Sequence, residues 1–105
     1  MGIITSNDLS AGIPADFVLS QNYPNPFRSQ TQFEYGLPRS ADVSIKVYNS
    51  FGQVIRELVS EYPEAGIYTV TWNGKDNHDL SVSPGIYIYE FNADGNFIGK
   101  KKWLF

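Results

Sequence analysis

The chain has 105 residues, of which 42% are hydrophobic, 15% aromatic and 18% charged. These values are typical of one packed domain and exclude an intrinsically disordered chain. Cysteine is absent, which excludes a disulfide framework, a thiol nucleophile and a cysteine-based metal site. No apolar stretch approaches membrane-spanning length, and the first residues do not have the basic start and apolar centre of a signal peptide.

The formal net charge of −3 is unevenly distributed along the chain. Residues 1–99 hold five basic side chains and all eleven carboxylates, so this part carries a charge of −6. The remaining three positive charges come from Lys100, Lys101 and Lys102. An acidic body argues against a nucleic-acid partner. The lysine-rich tail is therefore a separate feature of the chain.

The N-terminal residues indicate a lead-in followed by one domain. Residues 1–13 mix small polar residues with scattered Ile and Leu and have no hydrophobic period, which is typical of a linker. We expect the folded domain to span residues 14–105. Its first apolar run, residues 17–19, suits a short edge strand.

The next seven residues form a segment that we name the proline strap: Gln21, Asn22, Tyr23, Pro24, Asn25, Pro26 and Phe27. Proline fixes its own φ angle and has no backbone N–H, so the strap is excluded from a helix and from a central strand. We expect Tyr23 and Phe27 to anchor the strap on the core. We expect Asn22 and Asn25 to satisfy backbone groups as turn residues. The alternative is an ordinary proline-rich loop.

Alternating apolar residues predict the strands that follow. Phe33, Tyr35 and Leu37 share one face of a strand over residues 31–37, and a strand over 42–48 places Val43, Ile45 and Val47 inward. Residues 53–60 also favour a strand. Its apolar doublets, Val54-Ile55 and Leu58-Val59, leave open which residue of each pair points inward. A strand over 67–72 places Tyr68, Val70 and Trp72 on one face.

The C-terminal third predicts two more strands. Residues 86–91 are apolar on both faces, which is typical of a central strand that is covered on both sides. Asp94-Gly95 suits a type I′ hairpin turn, and the last strand covers residues 97–105. About seven strands with regular turn signals favour an antiparallel immunoglobulin-like β-sandwich, with a small barrel as the alternative.

The polar loop after Trp72 is the one candidate metal site. Asn73, Asp76, Asn77 and Asp79 offer oxygens of the kind that calcium binds, but their spacing does not fit an EF-hand loop. Such side chains also build turns without a metal. The single histidine, His78, lies in the same loop, and no Gly-x-Ser-x-Gly motif accompanies it. We therefore expect neither a metal, a cofactor nor an enzyme active site.

Several motifs in order resemble the C-terminal sorting domains of the type IX secretion system. The first is Phe17 to Phe27, and the likeness continues through the strand ending in Leu37-Pro38, Val47-Tyr48 with Gly52, Ala65-Gly66 with Trp72, Asn73-Gly74 with Asp76, Gly85 with Tyr87, and the lysine-rich last strand. The chain departs from the family at Arg28-Ser29, at Asn73 and at Trp103-Leu104-Phe105. The immunoglobulin-like domain of flagellar hook-capping proteins shares several glycines but not the opening motif, so this second resemblance is weaker.

The resemblance implies a recognition module and not a catalyst. Such domains follow a cargo protein, pass through the periplasm, and are recognised by the type IX machinery at the outer membrane. The cargo then reaches the cell surface or the medium. On this basis residues 1–13 are a lead-in from an upstream cargo. Gly66, Trp72 and Gly85 belong to the structural motif together with the proline strap.

The last strand is the first candidate for recognition by the machinery: Lys100, Lys101, Lys102, Trp103, Leu104 and Phe105. In an extended chain Lys100 and Lys102 point one way, and Lys101, Trp103 and Phe105 point the other way. A terminal strand also offers an edge to a partner strand, including that of a homodimer. The alternative is that the last three residues are core and that the lysines protect the edge from aggregation.

A second function class stays open on the sequence alone. Small β-sandwiches with exposed aromatic residues bind carbohydrate, and the facing of Tyr48, Tyr62, Tyr87 and Tyr89 is ambiguous. A structural spacer of a secreted protein is a third possibility.

Overall fold

The computed structural model describes residues 13–26 and 29–105, and in these ranges all the regular structure is antiparallel β. The strands are Val18–Leu19 (β1), Thr31–Leu37 (β2), Val43–Asn49 (β3), Val54–Glu61 (β4), Gly66–Trp72 (β5), Ile86–Ala93 (β6) and Asn96–Leu104 (β7). The described residues contain no helix that is long and apolar enough to cross a membrane.

The strands form two separate sheets, which confirms the predicted sandwich and rules out the barrel. One sheet has the order β1-β2-β5 and the other has the order β4-β3-β6-β7. The hairpins β3–β4 and β6–β7 stay within one sheet, whereas the connections after β2, β4 and β5 pass to the opposite sheet. This arrangement is typical of an immunoglobulin-like fold.

The core lies between the sheets and follows the predicted alternation. Phe33, Tyr35 and Leu37 of β2 are buried, as are Val43, Ile45 and Val47 of β3. Aromatic pairs join the layers: the rings of Phe33 and Tyr89 stack with centroids 4.2 Å apart, and those of Trp72 and Trp103 stack at 5.0 Å with an interplanar angle of 6°.

Two register shifts explain the apolar doublets of β4. Ile45 pairs with Val59 and Lys46 pairs with Glu57, so Leu58 is an extra residue between them. Further along the same pair of strands, Val47 pairs with Arg56 and Tyr48 with Val54, so Ile55 is the second extra residue. Both extra residues pack against the core. A β-bulge changes the phase of the alternation, which is why a strict period of two left the facing of this strand open.

β6 is a central strand, as predicted, but the prediction that both of its faces are covered is wrong. The strand lies between β3 and β7 and is therefore central. Tyr87, Tyr89 and Phe91 point into the core, but Ile86 is 45% exposed and Ile88 is only half-buried. The physical reason is that a two-layer sandwich covers each sheet on one face only.

The hairpin between β6 and β7 has the predicted type I′ geometry. Ala93 pairs with Asn96, which leaves two residues in the turn. Both have positive φ angles, 54° at Asp94 and 80° at Gly95. These angles match the twist of the flanking strands.

Candidate recognition site

The predicted alternation of the last strand is confirmed. Lys100 and Lys102 are exposed on the outer face of the four-stranded sheet, whereas Trp103 is buried and Phe105 packs partly against the core. Leu104 is 49% exposed. The alternative reading that all three last residues are core is therefore wrong for Leu104, because successive residues of a strand point to opposite faces.

Trp103 and Phe105 fix this strand to the body of the domain. Besides its stack on Trp72, Trp103 lies 4.5 Å from the ring of Tyr89 and 6.2 Å from that of Phe33, measured between centroids. Phe105 exchanges two backbone hydrogen bonds of 2.8 and 3.0 Å with Gly85. The lysine-bearing strand is therefore held in one position by large buried rings.

The proline strap lies against the free edge of β7. Gln21 Nε2 donates to the carbonyl of Lys102 at 3.2 Å. Asn25 Oδ1 accepts from the backbone N–H of Leu104 at 3.1 Å. The structure thus brings together the two ends of the predicted motif set, which are about eighty residues apart in sequence.

Asn22 is the main anchor of the strap. It is 3% exposed, and its amide nitrogen donates to Thr31 Oγ1 at 3.0 Å and to the carbonyl of Pro24 at 3.2 Å. Thr31 Oγ1 donates in turn to the carbonyl of Pro24 at 2.8 Å. Gln21 Nε2 donates to Asn22 Oδ1 at 2.7 Å. The expectation that Asn22 satisfies local backbone groups is confirmed, and its contact with β2 is an addition.

The expectation that Tyr23 anchors the strap in the core is wrong. Its side chain is 77% exposed, and the residue is held instead by two backbone hydrogen bonds to Gln32, of 2.8 and 3.0 Å. Asn22 points inward in its place, because neighbouring residues of an extended segment face opposite ways. Phe27 lies outside the described residues. The peptide bonds before Pro24 and Pro26 are cis.

Ser20, the residue just before the strap, is tied to the four-stranded sheet. The hydroxyl of Tyr89 in β6 donates to the carbonyl of Ser20 at 2.6 Å. Burial raises the pKa of this hydroxyl, so it stays protonated as a donor. The strap therefore contacts β2 through Asn22 and β7 through Gln21 and Asn25, while the residue before it contacts β6. Together these contacts close one side of the sandwich.

The remaining motif residues occupy turns and core positions. Gly66 begins β5 and Gly85 precedes β6, with φ angles of 150° and 157°. Trp72 ends β5, and its Nε1 donates to the carbonyl of Lys75 at 2.9 Å. These residues support the frame and do not form a surface.

The polar loop uses its oxygens to build turns. Asp76 Oδ1 accepts from the backbone N–H groups of Leu80 and His78, at 3.0 and 2.8 Å, and these bonds hold the pKa of Asp76 below its ordinary value. Asn73 Oδ1 accepts from the backbone of Lys75 at 3.2 Å, and Asp79 adopts a positive φ of 65°. Within residues 13–26 and 29–105 no three His, Cys, Asp or Glu side chains are grouped as metal ligands.

The four ambiguous tyrosines separate into two pairs. Tyr87 and Tyr89 are buried in the core. Tyr48 is half-buried and donates from its hydroxyl to Glu90 at 3.2 Å, and Tyr62 is largely exposed. Because two of these side chains are buried in the core, the four together do not form a carbohydrate-binding platform.

Comparisons with known proteins agree with this fold. A dimeric latent PorU from Porphyromonas gingivalis is similar with a TM-score of 0.68 and 20% identity over 85% of this chain, which spans only 9% of PorU. FlgD from P. aeruginosa is similar with a TM-score of 0.59 and 24% identity over 89% of this chain and 70% of that protein. No curated protein gives a significant sequence match. The sequence model of the FlgD Ig-like domain matches residues 24–96, and the chain belongs to this family.

Proposed function

We propose that this domain is a sorting signal that directs an attached cargo protein through the type IX secretion system. The ordered motifs that begin at Phe17 support the proposal, as does the structural likeness to PorU, a protein of type IX secretion. The domain acts by being bound and catalyses no reaction. Its cargo precedes residue 14, passes through the periplasm, and ends at the cell surface or outside the cell.

One observation carries the proposal: the strap and the last strand form a single surface. Gln21 and Asn25 contact the backbone of Lys102 and Leu104, so the most distinctive sequence motif and the lysine-rich tail lie side by side. A purely structural spacer has no need to join a strap to a charged terminal strand. A receptor that reads both parts at once recognises the folded domain and rejects the unfolded chain.

The residues of the last strand divide into two roles in this proposal. The exposed side chains of Lys100, Lys102 and Leu104 face the machinery. The core-facing side chains of Trp103 and Phe105 position the strand. Lys101 is half-buried on the same side as Trp103, so it lies on the opposite face from Lys100 and Lys102.

A secretion assay tests the proposal. Residues 13–105 are fused behind a periplasmic reporter in a host that carries the type IX machinery, and the surface-displayed share of the reporter is measured. We expect display of the complete fusion and loss of display when residues 100–105 are removed. A circular dichroism spectrum of each purified domain separates loss of recognition from loss of folding. Absence of display from the complete, folded fusion contradicts the sorting role.

A further inference from the structure

The backbone of β7 has a short open edge next to the strap. Gly85 and Phe105 form a hydrogen-bonded pair at the end of the β6–β7 ladder. In an antiparallel ladder, hydrogen-bonded and non-hydrogen-bonded pairs alternate, so the register points the backbone N–H and carbonyl groups of Lys100, Lys102 and Leu104 away from β6. The strap occupies the Lys102 carbonyl and the Leu104 N–H. Four of these outward groups have no partner among the described residues: the N–H and carbonyl of Lys100, the N–H of Lys102 and, beyond the strap contacts, the carbonyl of Leu104.

Unpaired backbone groups on an edge strand specify an extended partner. A strand that is added to an edge gains main-chain hydrogen bonds, and its alternate side chains meet those of the edge strand. Gln21 and Asn25 end the open stretch at the C-terminal side, because their side chains already use the next two backbone groups. The strap thus sets how far an added strand extends toward Phe105.

The side chains beside this edge specify acidic residues in the partner. Lys100 and Lys102 are exposed on the same face, and the carboxylate opposite Lys100, that of Glu90, accepts hydrogen bonds from Tyr48 Oη at 3.2 Å and Asn92 Nδ2 at 3.4 Å. Lys102 stands opposite Ile88, which has no charge. An acidic side chain on an added strand pairs with these lysines across the strand.

The same charges disfavour a second copy of the chain. In an antiparallel pair of two β7 edges, the lysines of one copy lie next to those of the other. Like charges that face each other across strands are destabilising, and lysine on an edge is a known protection against self-association. The open edge is therefore unsuited to the homodimer that an exposed strand otherwise permits.

We infer that the β7 edge at Lys100–Lys102 accepts an extended, acidic segment of a partner protein as an added strand, and that Gln21 and Asn25 limit its extent. The inference rests on the proposed sorting function, since it names how the machinery binds. The occupant is a segment of protein with alternating acidic residues. It is neither a metal ion nor another copy of this domain.

A proline variant tests the strand addition through the backbone alone. Lys100→Pro removes an N–H that points away from β6, and proline is tolerated on an edge at such a position. In the reporter fusion we expect the displayed share to fall about tenfold, because the hydrogen bond to the partner is lost. Thermal unfolding of the purified variant verifies the fold. Unchanged display from folded Lys100→Pro overturns the inference, although wild-type display still supports the sorting role.

A charge variant covers the case in which the proline variant does not fold. Lys102→Glu keeps the backbone and reverses the charge, and Lys75→Glu is the control with the same change in net charge away from the edge. We expect display to fall about tenfold for Lys102→Glu and to stay at the wild-type level for Lys75→Glu. Equal display of the two variants overturns the inference that the partner segment is acidic.

Two further outcomes decide the scope of the inference. No display of the wild-type fusion removes the proposed function and this inference with it. Sedimentation of the isolated domain addresses self-association, and we expect a monomer. A wild-type dimer that Lys100→Pro converts to a monomer overturns the inference, since the edge then binds its own copy.

Discussion

At the scale of single residues, a buried amide, that of Asn22, anchors the proline strap, and the neighbouring Tyr23 ring does not. Asn22 is 3% exposed, and its amide nitrogen donates hydrogen bonds to Thr31 Oγ1 and to the carbonyl of Pro24. The side chain of Tyr23 beside it faces solvent. The sequence predicts a turn asparagine here, but its burial depends on β2 lying next to the strap in space. No local sequence pattern indicates that the strap and β2 are close in space.

Asn22→Ala should destabilise the domain by about 1–3 kcal/mol, because it removes a buried donor and leaves the Pro24 carbonyl and Thr31 with fewer partners. Urea unfolding of the purified domain measures the change. Gln30→Ala, at an exposed position a short distance along the chain, is the control. Equal stability of the two variants would mean that the strap is not held by Asn22.

Two surface carboxylates, Asp94 and Asp76, give the domain a dependence on acid pH. Asp94 accepts from the Asp42 N–H at 2.9 Å and from Arg39 Nη1 at 2.6 Å, and these contacts, the backbone bond first, lower its pKa. The pKa of Asp76 is lowered by its backbone bonds to Leu80 and His78. The pKa of each carboxyl is lower in the folded state than in the unfolded state. The ionised carboxylates therefore stabilise the fold at pH values above the unfolded pKa of about 3.9.

We therefore expect the melting temperature to fall as the pH drops below about 4, where these carboxylates take up protons on unfolding. The variant Asp76→Asn, Asp94→Asn should lose part of this dependence. Melting curves between about pH 6 and pH 2 measure it, with Glu64→Gln as a control whose side chain is exposed. An acid dependence in the double variant as steep as in the wild type would assign the effect to other groups.

At the scale of elements, alternation predicts most strands correctly. The buried faces of β2, β3 and β5 follow directly from their sequences, because an element that faces the core on one side repeats every second residue. β4 does not follow this rule, since its two bulges are set by pairing with β3. The outer face of β6 is apolar without being covered, so hydrophobicity alone overstates its burial.

The hairpin turn offers a test of local geometry. Gly95→Ala places a side chain at a φ of 80° with no neighbouring atom within 4 Å, so its cost of about 1–2 kcal/mol comes from the backbone alone. Gly99→Ala in β7 is the matched control, because its added carbon meets only Leu19 at an ordinary 3.8 Å. Unfolding free energies compare the two. A larger loss for Gly99→Ala would contradict the assigned turn.

At the scale of the whole molecule, aromatic pairs across the two sheets hold the terminal strand in place. Trp72 in β5 and Trp103 in β7 stack directly, and Phe33 in β2 stacks on Tyr89 in β6. The sequence predicts which faces these rings occupy, but not which rings meet. Those pairings depend on how the two sheets are aligned, as does the contact of the strap with β7.

Trp103→Ala should destabilise the domain by about 3–5 kcal/mol, which is a large share of the stability of a small domain. Leu104→Ala is the neighbouring control, since its side chain is half-exposed, and we expect a loss below about 1 kcal/mol. Guanidinium unfolding midpoints measure both variants. A similar loss for the two would mean that β7 does not present alternate faces.

The sequence motifs that support the proposed sorting function could be identified from the sequence alone, whereas the shape of the candidate site could not. Lys100 and Lys102 are visible in the sequence as a basic tail, and the alternation places them on one face. The open backbone edge and its limit at Gln21 and Asn25 depend on contacts between residues some eighty positions apart. Such contacts follow from the tertiary fold only.

The sorting role is tested most directly by the surface-displayed fraction of a reporter fused to residues 13–105, compared between a host with a functional type IX machinery and the same host without it. A domain that the machinery reads should be displayed in the first host and retained in the periplasm in the second. Equal fractions in the two hosts would contradict the account, because the fold would then exist without being recognised.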